Sequence, residues 1–374
     1  MMAATWTHTG QKTPAPVRVA VMGASGYIGG EALRLLLGHP CVQVAAVTSA
    51  GSAGQPAASV HPHLSRLADP DLAFTADLSP EEASQYDAVF MALPHGEAMR
   101  RVPAILQAGG RGGPRGEGPL VLDMSGDFRI KDPATFKRYY GLEHTAPQLA
   151  ASAAYGLTEW NREAIREARL VACPGCFPTG ALLALTPLAK AGLLGTRVVI
   201  DSKTGSSGSG KELSEGTHHP TRAQDFRAYG LFNHRHRPEI AQELGKWQAG
   251  TSADGAQSLQ VTFTPHSAPM VRGIFTTAYV FPPKPVGQSE LSAIYEQAYE
   301  GEYFVRLVDN PRVTVVAHSN FCDIRACTDG EGTIIVTSAI DNLVKGGAGQ
   351  AVQNLNVAFG WPEYLGLTFP GTMP

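Results

Sequence analysis

The chain has 374 residues, 43% of them hydrophobic, and its 30 basic and 33 acidic side chains leave a formal charge of −3. That length holds two cores of ordinary domain size, and the near-neutral balance excludes the basic field on which nucleic acid or an anionic membrane depends. No apolar run approaches the roughly 18 residues of a spanning helix, and five cysteines without scaffold spacing suit a reducing compartment, so a cytoplasmic location is expected.

Residues 1–16 read as a loose polar tail. The run Val17 to Met22 reads as a buried strand feeding a glycine-rich turn. Glu31 to Leu37 has helical spacing and is stopped by Gly38 and Pro40, and Val42 to Val47 forms the next strand. Strands at Ala88 to Leu93 and Leu120 to Asp123 continue a parallel sheet, with a helix from Glu97 to Ala108 and a glycine-rich loop from Gly109 to Gly118 between them. Beyond Cys176 the pattern predicts a helix from Pro178 to Ala191 interrupted at Pro187, a strand from Arg197 to Ser202 and a polar loop from Gly205 to Pro220. Strands at Leu259 to Thr264, Gly273 to Phe281 and Gly332 to Thr337 follow, with a helix from Ser289 to Tyr299, and the last helix covers about Gly347 to Val357. The fold class is therefore α/β: a doubly wound dinucleotide-binding unit followed by a mixed α+β unit.

Three constellations carry chemistry. Gly23, Ser25, Gly26, Tyr27, Ile28 and Gly29 belong to a G-x-x-G-x-x-G turn between strand and helix, where backbone can approach a diphosphate and a helix N-terminus offers donors. At the end of the second strand, where an NAD site carries a carboxylate, stand Thr48 and Ser49, which accommodate a 2′-phosphate and favour NADP(H). Leu170 to Gly180 places Cys176 on a tight strand-to-helix turn, where helix-end potential favours a thiolate nucleophile. A free cysteine is equally often a small buried hydrophobe. Cys173 adds a C-x-x-C spacing, so a reversible disulfide that silences Cys176 is conceivable.

The run from Asn233 to Glu239 gathers His234, Arg235, His236 and Arg237 beside Glu239, a candidate proton manager for the thiol, with Glu239 or a carbonyl fixing the tautomer. Its alternative is a solvated polar turn. No histidine pair has metal-site spacing, so no metal is expected. Ser125 and Arg129 could hold a substrate phosphate, although Arg129 could equally pair with Asp127, and Arg272 could hold a carboxylate.

These pieces in this order, with Leu93-Pro94-His95-Gly96, Asp127-Phe128-Arg129, Pro174 to Thr179, His234 to Ile240, Ser319 to Asp323 and Asp341 to Gly346, resemble the N-acetyl-γ-glutamyl-phosphate reductase family of arginine biosynthesis, within the aspartate-semialdehyde and glyceraldehyde-3-phosphate dehydrogenase group. The resemblance runs from about Val17 to Pro374. It implies NADPH-dependent reduction of a small-molecule acyl phosphate, a catalytic cysteine at Cys176, a base at His236 or His234, and a homo-oligomer, dimer or tetramer. It further implies that the Asn342 loop lies close to the nicotinamide; Leu93, Pro94 and His95 are expected to join the cofactor contacts, and Ser125, Arg129, Arg235, Glu239 and Arg272 are the expected substrate contacts. The expected division is 17–172 for the cofactor domain, 173–343 for the catalytic and oligomerisation domain, and 344–374 returning to the first. Two positions depart from the family pattern, Cys173 where asparagine is common and His318 where glycine is common. The aminoadipyl-phosphate reductase of lysine biosynthesis and a non-catalytic NADP-sensing Rossmann protein are the alternatives.

Overall fold

A computed structural model describes residues 15–110, 112–249 and 259–373 of the chain; most of the tail expected over residues 1–16 lies outside them. The strands of the first sheet are β1 (Val17–Met22), β2 (Val42–Thr48), β3 (Phe74–Thr75), β4 (Ala88–Met91), β5 (Leu120–Asp123), β6 (Ala154–Tyr155) and β7 (Leu170–Ala172). They lie in the order β3-β2-β1-β4-β5-β7-β6, every pair parallel. Helices cover both faces, which is why β4 and β5 are buried throughout and apolar up to Asp123 at the end of β5. The strand order reverses between β1 and β4, and the crevice above that point is where such sheets bind ligands.

The second sheet contains β8 (Arg197–Thr204), β9 (Arg227–Ala228), β10 (Gln260–Ser267), β11 (Ile274–Val280), β12 (Val305–Leu307), β13 (Cys322–Thr328) and β14 (Ile334–Ile340). Its order is β12-β13-β14-β11-β8-β10-β9, mixed in direction. Burial alternates along β8, β10 and β11, because one face alone packs on the core formed with helix Cys176–Lys190.

That helix corrects the expected interruption at Pro187, since it runs unbroken from Cys176 to Lys190. Proline removes the donor that the carbonyl four residues back needs. Here Leu183 O accepts the Tyr299 hydroxyl instead, and Tyr295 donates to Ala184 O at 2.6 Å. Tyr299, from another element, thus satisfies the gap, which no local pattern reveals.

The chain then returns to the first core. The turn Val344–Ala348 and helix Gly349–Ala358 put Val344, Ala348, Ala351, Val352 and Leu355 among Val19, Val21 and Leu33. Lys345, fully buried, locks this return by donating to Glu159 at 2.5 Å and Gln353 at 2.7 Å.

Candidate active site

The cofactor side is built first. Gly23 sits at φ +76°, and a Cβ there would strike the backbone carbonyl of Ala92, so the turn tolerates no side chain. Helix Tyr27–Leu37 starts behind Gly26 without any side-chain cap, leaving its first N–H donors available to an anion. Thr48 accepts from Gly23 N–H at 3.3 Å, and the Ser25 and Ser49 hydroxyls meet at 2.7 Å. No carboxylate stands at Thr48-Ser49-Ala50. These residues fit a dinucleotide diphosphate at the helix end, with hydroxyls at the ribose.

The Cys176 turn repeats the arrangement with a different outcome. Helix Cys176–Lys190 opens behind Gly175, again without a side-chain cap. The buried Glu239 carboxylate accepts from Gly175 N–H at 2.8 Å and from the Tyr155 hydroxyl at 2.8 Å, and faces Arg129 Nη1 at 3.8 Å. Arg129 in turn donates to Cys173 O at 2.7 Å and Met124 O at 3.0 Å. Glu239 is therefore a brace for the turn and, among the described residues, makes no hydrogen bond to a histidine, contrary to the tautomer-fixing role considered for it. Asp127 is likewise not Arg129's partner: its carboxylate takes the N–H groups of Gly96 and Met99.

His236 begins helix His236–Ala249 and is buried, so the run is no solvated polar turn. A Cβ on Gly175 would lie 2.5 Å from His236 Nε2 and 3.0 Å from Arg129 Nη1, which shows how closely the imidazole edge approaches the turn. Its Nδ1 is buried with no partner among the described residues, and Nε2 is the nitrogen nearest the Gly175 turn. His234 does something different, accepting from His236 N–H at 3.2 Å and stacking edge-on to Phe177 and Phe263. Burial pushes His236 well below the usual imidazole range, aided by His234 and Arg129, and takes His234 down to about 4 and His95 to about 3. All three are neutral at pH 7.

Burial also pushes the Cys176 thiol up, with Arg129, the Phe177 N–H and Arg235 opposing it. The helix end does not make a preformed thiolate here, because desolvation outweighs it. The thiol and the His236 imidazole are both pushed toward their neutral forms.

Two cavities meet at Cys176. One, of about 290 Å³, is lined by Gly26, Tyr27 and Ile28, by Leu93, Pro94 and His95, by Ser125 and Arg129, and by Asn342 and Gly346. The other, of about 450 Å³, is lined by Tyr139, Tyr229, Asn233 and His234. Cys176, Arg235 and His236 line both. Arg235 is exposed and its guanidinium has no ion-pair or hydrogen-bond partner among the described residues, as suits a group awaiting an anion. His95 accepts from Gly126 N–H at 3.0 Å, and Ser125 Oγ from Asp127 N–H at 3.1 Å.

Arg272 lines neither cavity. It pairs with Asp341 at 3.0 Å and Glu31 at 3.2 Å and reaches His318 Nδ1 at 2.9 Å, clamping the cofactor helix to the end of β14, so the substrate role expected for it is replaced by an architectural one. His318, at φ +66°, holds the left-handed backbone that favours glycine. The Asn342 amide accepts from Gly273 N–H at 2.6 Å and donates to Ser207 at 3.0 Å, so its side chain anchors the loop rather than pointing freely to a cofactor. Cys173 and Cys176 are both free thiols, and Cys173 lies in the first core beside Asn354.

Sequence reasoning missed Tyr155 and Gly346. A Cβ on Gly346 would stand 2.9 Å from Cys176 Cβ, so the Asp341 to Gly347 loop packs directly on Cys176. The glycine pair in that loop was the one available signal.

Residues 18–168 match the semialdehyde dehydrogenase NAD-binding domain and residues 176–342 the semialdehyde dehydrogenase dimerisation domain. Aspartate semialdehyde dehydrogenase II of Vibrio cholerae superposes with a TM-score of 0.66 at 17% identity, covering 91% of this chain and 98% of that one. The Candida albicans aspartate semialdehyde dehydrogenase solved with NADP gives 0.66 at 15% identity, covering 92% and 99%. The chain is thus an oxidoreductase of the semialdehyde dehydrogenase class, with a dinucleotide-binding Rossmann domain. N-acetyl-gamma-glutamyl-phosphate reductases of Methanopyrus kandleri, Pelotomaculum thermopropionicum and Methanocaldococcus jannaschii are 45%, 44% and 44% identical over 96%, 96% and 95% of this chain and at least 99% of theirs. It belongs to the N-acetyl-γ-glutamyl-phosphate reductase family.

Proposed function

We propose that the chain reduces N-acetyl-γ-glutamyl phosphate to N-acetyl-L-glutamate 5-semialdehyde and phosphate through a thioester on Cys176. The observation that carries this is Cys176 at the meeting point of two cavities, one shared with the glycine turn and one with the histidine run, and His236 facing its turn. His236, held neutral, takes the thiol proton as sulfur attacks the acyl carbonyl and phosphate leaves. Arg235, Arg129 and Ser125 line the cavity and supply charge and donors for the phosphate. Bound NADPH supplies the hydride that reduces the thioester. His236 then protonates the resulting oxyanion, removes that proton again as the thiohemiacetal collapses to aldehyde with cleavage of the C–S bond, and returns it to the departing Cys176 sulfur. N–H groups at the start of helix Cys176–Lys190 stabilise the tetrahedral oxygen, a contribution of about 3 kcal/mol per donor.

The test runs the reaction in reverse, following phosphate-dependent NADP reduction with N-acetylglutamate semialdehyde, aspartate semialdehyde and the carrier-bound aminoadipate analogue. Strong preference for the first is expected. Preference for the carrier-bound analogue would move the protein to lysine synthesis, and no turnover with any would leave a dinucleotide sensor.

Self-association is assigned to the open face of the second sheet. Tyr279 and Ile335 are exposed cross-strand neighbours there, with Val199 and Cys327 in the same row, inside the region matching a dimerisation domain. Light scattering should give a dimer or tetramer that Ile335→Glu dissociates. Among the described residues no helix is long and apolar enough to cross a membrane. All five cysteines are free, which supports a cytoplasmic location that fractionation of the native cells would test.

A further inference from the structure

The end of β2 poses a question about charge. A 2′-phosphate bound beside Thr48 and Ser49 would find hydroxyls but no arginine within the Thr48-Ser49-Ala50 segment. A dianion held by neutral hydroxyls alone is weakly discriminated from a ribose hydroxyl, because charge-assisted hydrogen bonds are roughly twice as strong as neutral ones.

The structure brings a cation from elsewhere. Lys211 lies on the loop after β8, in the second domain, yet its ammonium donates to the carbonyl of Ser25 at 3.4 Å across the domain boundary. Ser25 is the residue whose hydroxyl meets that of Ser49, so Lys211 reaches the β2 side of the glycine turn. It is also close enough to His61, which follows β2 and hydrogen-bonds Ala24 O at 2.8 Å, to oppose that imidazole's protonation. Lys211 lines the cavity of Gly26, Tyr27 and Ile28, is exposed, and has no carboxylate partner among the described residues. The loop that carries it is tied down by Ser207, which bonds Val271 O at 2.7 Å and Asn342 at 3.0 Å, so the lysine's placement is not arbitrary.

We propose that Lys211 is the cation that recognises the 2′-phosphate of NADP(H), supplied by the second domain where the first has only Ser25, Thr48 and Ser49. The proposal rests on NADP(H) being the cofactor. It makes cofactor choice a property of the domain pair: a glycine turn with no acidic residue admits the phosphate, and a lysine on the facing loop selects for it. A lysine suits this role as a compact charge on a long stem that reaches across the crevice.

Fluorescence titration of the purified full-length protein with NADPH and with NADH separates the possibilities without any turnover. In the wild type NADPH should bind more tightly than NADH. Lys211→Gln should weaken NADPH roughly ten- to hundredfold and leave NADH unchanged, and Lys211→Arg should restore NADPH. Unchanged NADPH affinity in Lys211→Gln, or equal weakening of both nucleotides, overturns the proposal, the second result placing the charge on the diphosphate instead. A wild type indifferent to the two nucleotides would overturn the NADP assignment itself, which keeps the two failures apart. Unaltered thermal melting of both variants shows that the fold is intact.

Discussion

Two strand-to-helix turns in this molecule are near copies in local structure and differ in use. After β1 and after β7 the chain turns through a glycine that serves as N-cap, and in neither case does a side chain cap the helix. At the first, the uncapped N–H groups open onto a crevice and await a phosphate. At the second, the glycine's own N–H is taken by Glu239, whose carboxylate also binds Tyr155 and faces Arg129, and a thiol occupies the first helical position. The first turn is general anion-binding backbone; the second is fixed by a buried charged brace. A helix N-terminus supplies potential, and what surrounds it decides whether that potential binds a ligand or steadies a nucleophile.

Substitutions can break that contrast at several strengths. Cys176→Ser should abolish nearly all turnover and leave NADPH titration unchanged; retained activity would remove the thioester. His236→Gln should cost roughly 10²- to 10⁴-fold in kcat, measured in the steady state, whereas His234→Gln should act mainly through helix stability. Arg272→Met removes the cation shared by Glu31 and Asp341, leaving Glu31 to Arg34 and Asp341 to the N–H groups of His318, Leu343 and Val344, and should destabilise the fold by about 2 kcal/mol in denaturant titration. Gly175→Ala pushes a methyl group against the His236 ring and should lower kcat roughly ten- to hundredfold with little change in nucleotide affinity.

The smallest effect is one of pH. His95, His234 and His236 have folded pKa values depressed below the unfolded value of about 6.5, so unfolding takes up protons once the pH falls below it. Their contribution to stability is complete at pH 7 and above and declines as the pH drops toward the folded values. Melting temperature should therefore fall steadily from about pH 7 to about pH 5. Gln substitution of His95 or His234 should flatten that slope, and an unchanged slope in both would refute their neutrality.

Much of this was legible in the residues. Buried strands read as apolar runs, glycines punctuate the cofactor turn, and Cys176 and the histidine run stand out because few other residue types do their chemistry. Pro187 misled, because a proline signals a break only when nothing else reaches the orphaned carbonyl, and Tyr299 sits more than a hundred residues away. Arg272 misled in the same way: a free-looking arginine in sequence is committed to Glu31 and Asp341 from two other segments.

The sequence by itself determined the two-unit α/β plan and the dinucleotide turn and singled out Cys176 as the candidate nucleophile, since each depends on local periodicity or on a short run of residue types. Only the tertiary structure decided which groups are paired, desolvated and neutral. It separated His236 from His234, turned Glu239 into a brace, raised the Cys176 thiol and carried Lys211 across to Ser25. Those outcomes depend on distances between segments far apart in the chain, and electrostatic strength depends on distance and burial, which no linear spacing encodes.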